Sequence, residues 1–452
     1  MQQTITGGIT VENLYHVPKA SGKEPVIVTV PGSKSITNRA LLLAALSEGP
    51  CLLRGVLFSD DSRTVLSCLE ELGFELRIRE EAKEVCIVGT GGRIPNPNAR
   101  LNVRSAGTAA RFLTVFLAFA GGDYQMDASG QMKKRPMEPL LSILRNAGAV
   151  ITCQEEEGHF PFRLQAQHLD LTEVTVDTTI SSQFASAFLM TGTLLPNGLK
   201  VKMEGDRTQG AYIQITRKMM EQFGIRAQEM DGSIQIPGSQ KTCLTEYDIE
   251  PDVSGACYFY GMAPLLGIDV TVRGIHPDSM QGDLKFLSVL EQMGCPSEDT
   301  ETGICVRGSR MQEFRGVTVN MKEFSDQTMT LAAIAPFAST ETKITNIGHI
   351  RFQESDRITA ICTELQRMGI DCRELPGEDG ILIRPGIPGK ATIETYDDHR
   401  IAMAFSLPGL KTGNITISNP GCCRKTFENY FDLLTELFGN SRSANGADTS
   451  VG

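Results

Sequence analysis

The stretch LEELGF (69–74) closes an amphipathic run with a glycine, and the same phrase returns five times. LRNAGA (144–149), MEQFGI (220–225), LEQMGC (290–295), LQRMGI (365–370) and LTELFG (434–439) carry it forward. From Gly73, the glycines at 148, 224, 294, 369 and 439 follow at spacings of 75, 76, 70, 75 and 70 residues. Ahead of Gly73, Val65, Leu66, Leu69 and Leu72 fall at helical spacing. A glycine just past the last turn takes left-handed backbone without strain, so each phrase reads as a helix end. Segments of alternating polarity follow, such as FELRIRE (74–80) and AVITCQ (149–154), and read as strands. The period exceeds that of ordinary solenoids, so each copy is expected to be a small α/β unit of its own. Helix-glycine-strand is common in any α/β protein, but six copies at near-equal spacing favour true repeats. Six units suit two domains of three.

The 452 residues are too many for one core. Hydrophobic residues make up 41%, and no apolar run approaches the roughly 18 residues of a membrane span. The first residues lack a basic start followed by an apolar stretch, so no secretion signal is expected. Twelve cysteines are scattered without a C-x-x-C pair, and Cys422 and Cys423 are neighbours, poorly placed to bridge each other. A reduced, cytoplasmic chain is the simplest expectation. The net charge of −11 argues against a nucleic-acid binder. It also makes local knots of Lys and Arg informative, because a cleft that gathers them can hold an anionic small molecule. The polar tail, 439–452, reads as disordered.

Polar clusters stand where loops enter helices. PGSKSITNRALLLAAL (31–46) sets Lys34, Ser35 and Arg39 at the mouth of an apolar helix. The spacing of a nucleotide-binding P-loop is absent, which leaves an anion site at a helix start or an N-cap with a solvated lysine. RSAGTAARF (104–112) offers small residues for close backbone approach, or for tight packing. MKKRP (132–136) is a basic knot before a helix expected from near Pro136, or a solvated charge run. TTISSQFASAFLM (178–190) opens a helix with hydroxyls and Gln183 that serve a ligand or merely cap. FSDQTMTLAAIAPFA (324–338) sets Asp326 before an apolar helix, where an N-cap rivals catalysis. FQESDRITAICTEL (352–365) holds Glu354, Asp356 and Arg357. YDDHRIAMAF (396–405) joins Asp397, Asp398, His399 and Arg400, and His399 reads as the least core-like histidine. No second histidine stands at ligand spacing, so no metal site is expected. CCRKTFENYFDLL (422–434) adds Arg424 and Lys425. Together these suggest one cation-rich cleft with a few acids, suited to two anionic substrates.

Seven of these segments, with SMQGDLKFLSVLEQMG (279–294), carry a resemblance. PGSKSITNRALLLAAL, SAGTAARF, MKKRP, SSQF, SMQGDLKFLSVLEQMG, ESDRI, YDDHRIAMAFSL and KTFENYF, in order from about residue 25 to 438, resemble the 5-enolpyruvylshikimate-3-phosphate (EPSP) synthase family. The resemblance implies an α/β (α+β) fold, a two-domain inverse α/β barrel with three βαβαββ repeats per domain. The chain would cross near Gly32 and return near Pro251. One domain would then be 1–32 plus 252–438, and the other 33–251. The implied activity moves the enolpyruvyl group of phosphoenolpyruvate (PEP) onto the 5-hydroxyl of shikimate 3-phosphate and releases phosphate, with no metal or other cofactor. A monomer is implied, with no nucleic-acid or membrane partner.

By position, Lys34, Gly107, Arg135, Gln183, Arg357, His399, Arg400 and Lys425 match PEP-binding residues. Asp326 matches the carboxylate that orients, and deprotonates, the attacking hydroxyl. Glu354 matches a residue near the PEP methylene and would handle proton transfer with Lys34. Ser35 and Arg39 match the grip on the acceptor carboxylate. Ser181, Ser182 and Tyr212 match acceptor contacts, with Gln183 between the two substrates. Departures cluster on the acceptor side: Gln353 stands where Lys is usual, Gln209 where Ser is usual and His349 where Asn is usual. Ser105 and Gln131 also depart, near the PEP side. An ordinary synthase with Arg207 or Lys133 compensating is one reading, and a paralogue for another alcohol is the second. A ligand-binding relic is the third. Closure of the two domains on their ligands is expected.

Overall fold

The computed structural model describes residues 13–439 apart from 168, 170, 179–180 and 206–209. The expected disordered tail, Gly439 aside, lies outside these residues. Six separate sheets are present among them, five of four strands and one of three.

Three units run continuously. In one, strands Asn98–Asn102 and Gly122–Asp127 pair in parallel around the helix Gly107–Ala120. The helix Glu138–Asn146 then leads to Val150–Cys153 and Phe162–Ala166, which finish the sheet in antiparallel register. The spatial order is first, second, fourth, third strand, and the units beginning at Glu173 and Thr318 repeat it. Two further units have exchanged their first strands. Val26–Val28 pairs in parallel with Asp269–Val272, while Glu246–Asp248 pairs in parallel with Glu48–Arg54. The two passes of chain between them lie side by side. Ser33 N–H donates to Glu250 O at 2.8 Å, and Asp252 N–H donates to Pro31 O at 2.8 Å. The sixth sheet has no hairpin of its own, and Leu14–His16 completes it against Ile415–Ser418.

Each unit owns two helices of different character. The inner ones are Lys34–Leu46, Gly107–Ala120, Ser182–Thr191, Val253–Leu266, Thr328–Ile334 and His399–Thr412. They are apolar on nearly every face and are buried over most of their length. The outer ones, such as Asp60–Glu71 and Arg357–Arg367, bury one stripe only. The repeating glycines end the outer helices. Gly73, Gly148, Gly224, Gly294 and Gly369 have φ of 84°, 106°, 80°, 101° and 81°. Gly439 departs from the expectation, since it follows its helix directly at φ −77°, where any residue would serve. The helix expected from near Pro136 begins at Glu138, after a short turn at Gly130–Lys133.

The buried apolar side chains form two clusters. One holds Ile36 to Ile249 with Met280, and the other holds Val17 to Val30 with Val253 to Leu434. Gly32 sits at the passage between them, where backbone crowds backbone. A Cβ there would lie 1.9 Å from Gly55 O. Gly32→Ala should therefore cost about 3 kcal/mol and lower the thermal midpoint. Gly130→Ala, with nothing within 4 Å of its Cβ, should leave it unchanged. Scanning calorimetry of the two variants checks this.

Candidate active site

The starts of all six inner helices converge on one cleft between the two clusters. The cleft holds a cavity of about 670 Å³ that adjoins a smaller one of about 220 Å³. Ser35, Ser182, Tyr212, Asp252, Ser254, Asp326 and Gln353 line both. Helix starts present free N–H groups and partial positive charge, so the scaffold itself favours anions here.

Four cations come from the half built on Ile36 to Ile249. Lys34 opens its helix, and its Nζ lies 3.2 Å from Asp61 Oδ2. Burial works against the charge of Lys34, but Asp61 and Glu354 outweigh it and raise its pKa above the ordinary 10.5. Arg39 is buried and donates to Thr216 Oγ1 at 2.8 Å, Ser35 O at 2.9 Å and Ser186 Oγ at 3.2 Å. Every one of these acceptors is neutral, and burial lowers the Arg39 pKa to about 10. Arg111, also buried, donates to Gly107 O at 3.0 Å and Gln183 Oε1 at 2.9 Å, while its Nε finds no partner. Its pKa falls, through burial first and then the neighbouring Arg135. Among the described residues the Arg135 guanidinium makes no hydrogen bond or ion pair, although it lines the cavity. Buried cations without counterions are costly, so this end of the cleft is built for an anion.

The opposite wall supplies acids of two kinds: Asp326 and Glu354 are held ionised, whereas burial raises the pKa of Asp252 and pushes that of Asp283 up to about 6. Asp326 Oδ2 accepts from Arg400 Nη2 at 2.8 Å and from Tyr212 Oη, while Oδ1 accepts from Arg357 Nη1 at 3.2 Å. Burial would raise the Asp326 pKa, but Arg400 and Arg357 outweigh it and hold it far below 3.8. The N-cap alternative for Asp326 fails: it lies in the turn Ser325–Gln327, and Gln327 precedes the helix without a side-chain cap. Glu354 Oε2 lies 2.9 Å from His399 Nδ1 and 3.7 Å from Lys425 Nζ. A carboxylate only accepts, so the ring donates through Nδ1. Burial opposes the Glu354 charge, yet His399, Lys425 and Lys34 bring its pKa well below the ordinary range. His399 corrects the expectation of a surface-like ring. It is 2% exposed, burial lowers its pKa, and its Nε2 has no partner.

Arg357 grips Asp398 through Nε at 2.7 Å and Nη2 at 3.3 Å. Glu354, Asp398 and His399 bring ligand-type atoms within 4.8 Å of one another, a grouping that residue spacing did not reveal. These are the residues that could hold a metal. An ion there would have to displace the Arg357 grip and face Lys34 and Lys425.

Most of the expected residues line the cavities: Lys34, Ser35, Arg39, Arg135, Ser181, Ser182, Gln183, Tyr212, Asp326, Gln353, Glu354, Arg357, His399 and Arg400. Three stand behind them. A Cβ on Gly107 would lie 2.7 Å from Arg111 Nη1 and 2.9 Å from Arg135 Nη1, so the bare backbone makes room for both guanidiniums. Lys425 reaches Glu354 and, at 3.4 Å, Gln131 Oε1 across the cleft. His349 Nε2 lies 2.7 Å from Ser325 Oγ, beside Asp326. Ser105 hydrogen-bonds Ser129 at 2.7 Å, away from the cavities. Lys133 is occupied by Glu155 and Asp127, and Arg207 and Gln209 lie outside the described residues. Asp61 was not among the candidates, and Arg111, in RSAGTAARF, was given no role in the site. Asp61 looks like any acid in a first helical turn, and Arg111 like packing in an apolar helix. The tyrosine–aspartate contact and the Lys425–Gln131 bond join the two walls, so the cleft is closed.

A sequence profile for the EPSP synthase family, the 3-phosphoshikimate 1-carboxyvinyltransferases, matches residues 21–434. A 3-phosphoshikimate 1-carboxyvinyltransferase of Nostoc punctiforme is 39% identical, the match covering 93% of this chain and 98% of that protein. One from Vibrio atlanticus is also 39% identical, over 94% of this chain and 98% of its own. An EPSP synthase structure from Acinetobacter baumannii superposes with a TM-score of 0.80 at 26% identity, covering 94% of this chain and 98% of that one. With six converging helix starts, unneutralised arginines at one end and a clamped carboxylate facing them, the chain belongs to the EPSP synthase family.

Proposed function

We propose that this cleft binds PEP and shikimate 3-phosphate and carries the family's transfer of the carboxyvinyl group, with the residues in the following roles. The observation that carries the reading is the pair of unneutralised guanidiniums, Arg111 and Arg135, beside a protonated Lys34. They supply the positive charge that pairs with the phosphate and the carboxylate of a small anionic substrate. Arg357, Arg400, Gln183 and Lys425 complete the PEP side. Ser35, Arg39, Ser181, Ser182 and Tyr212 receive the acceptor, with His349 shaping the turn at Asp326.

Asp326 is the base. Its carboxylate is ionised and its oxygens already sit among donors, so it takes the proton of the 5-hydroxyl as that oxygen bonds to C2 of PEP. Lys34 is the acid, because it holds its proton while Glu354 does not. It gives that proton to the C3 methylene, which yields a tetrahedral ketal. The C2–O bond to phosphate then breaks, a C3 proton returns to the Lys34–Glu354 pair, and inorganic phosphate leaves. Cations around the leaving group stabilise its charge. His399 orients Glu354 through Nδ1. Both substrates' binding groups come from one chain, which supports a monomer as the working unit. The twelve free thiols support a reducing, cytoplasmic setting. The two apolar clusters support domains of 1–32 plus 252–438 and of 33–251.

Phosphate release from PEP should require shikimate 3-phosphate, with shikimate or no acceptor giving background only. A colorimetric phosphate assay decides this, and equal release with unphosphorylated shikimate would reject the acceptor. Asp326→Asn should lower kcat about a thousandfold, measured in the same assay at saturating substrates. The third outcome concerns pH. Asp61 raises the Lys34 pKa against burial, so Asp61→Asn leaves burial in control and the pKa falls. The alkaline limb of kcat/KM should move to lower pH, read from a pH profile of variant and parent.

A further inference from the structure

Gln353 occupies the wall shared by the two cavities, at the end of the turn Gly348–Phe352. Its Oε1 accepts from Arg357 Nη1. A guanidinium offers five N–H donors and no acceptor. In Arg357, Nε–H and one Nη2–H are committed to Asp398. The two Nη1–H donors face Asp326 Oδ1 and Gln353 Oε1. One Nη2–H is left for a ligand, so the direction of that bond is set by what holds the rest of the fork.

We propose that Gln353 is a positioning residue, which fixes the Arg357 guanidinium from the acceptor side of the cleft and thereby couples acceptor recognition to the grip on PEP. The inference rests on the functional reading above. The chemistry of the amide suits the task. It accepts a hydrogen bond without neutralising the arginine, so the pull on an anion is kept. A third carboxylate would hold the fork and cancel its field. A lysine, the residue that the resemblance leads one to expect there, has no acceptor to offer and would set a second cation against Arg357 and Arg400. The Gln353 NH₂ group, turned from Arg357, still offers donors to an acceptor phosphate.

Steady-state kinetics with PEP and shikimate 3-phosphate test this on three variants, each checked for an unchanged thermal midpoint. Gln353→Met keeps the length and loses the oxygen. It should raise KM for PEP about tenfold with kcat within about twofold, the size expected for one hydrogen bond to a charged group. Gln353→Ala should match it. Gln353→Lys should raise KM for PEP while lowering KM for shikimate 3-phosphate. An unchanged KM for PEP in Gln353→Met would overturn the proposal. So would a Met variant that behaves as the parent while the Ala variant does not, since that pattern means packing alone. Failure of the parent protein to turn over this substrate pair would instead reject the functional reading, and the two failures are thus distinct.

Discussion

Asp326 accepts hydrogen bonds from both sides of the cleft at once. Arg400 and Arg357 reach it from its own half, and Tyr212 reaches it from the other. One carboxylate therefore ties the walls together and keeps two arginines pointed inward. The same three donors hold it ionised, which is the state a base needs. Removing the charge would loosen the arginines and release the tyrosine together. The remaining site geometry is arranged around that clamp.

Beyond the clamp, the cleft divides its charge with purpose. Acids concentrate on the wall around Asp326, and guanidiniums without a carboxylate partner concentrate on the wall that faces it. Glu354 lies between these regions, screened by His399, Lys425 and Lys34. The protein meets the cost of burying so many ions by pairing most of them with opposite charge, and Arg39, Arg111 and Arg135 are the cations it leaves without a carboxylate. The converging helix starts add to the same field without adding side chains.

The sequence was legible where local chemistry repeats. Five glycines at positive φ end five outer helices, and the six-unit count follows from them. Gly439 shows the limit: in LTELFG the glycine stands one residue later than in the other phrases and follows its helix at φ −77°, where none is needed. The strand exchange left no local trace: Val26–Val28 and Glu246–Asp248 read as ordinary short strands, and their partners are set by topology. Most residues that line the cleft were named through the resemblance, whereas their ionisation was not. That depends on neighbours far away in the chain, as Asp61 is to Lys34 and Glu354 to His399. Burial of His399 was misread because its acidic and basic neighbours suggested solvent, although they are buried with it.

The exchanged strands bear on how the chain is made. Val26–Val28 leaves the ribosome early, but its partner Asp269–Val272 is synthesised only after the whole intervening half. Leu14–His16 waits longer still, for Ile415–Ser418. The half built on Ile36 to Ile249 needs Glu246–Asp248 to finish its own first sheet, and it has that strand before it ends. That half can close as a nascent chain, while the half that encloses it must keep Val26–Val28 unpaired until the enclosed half has been made, and Leu14–His16 until synthesis is nearly complete.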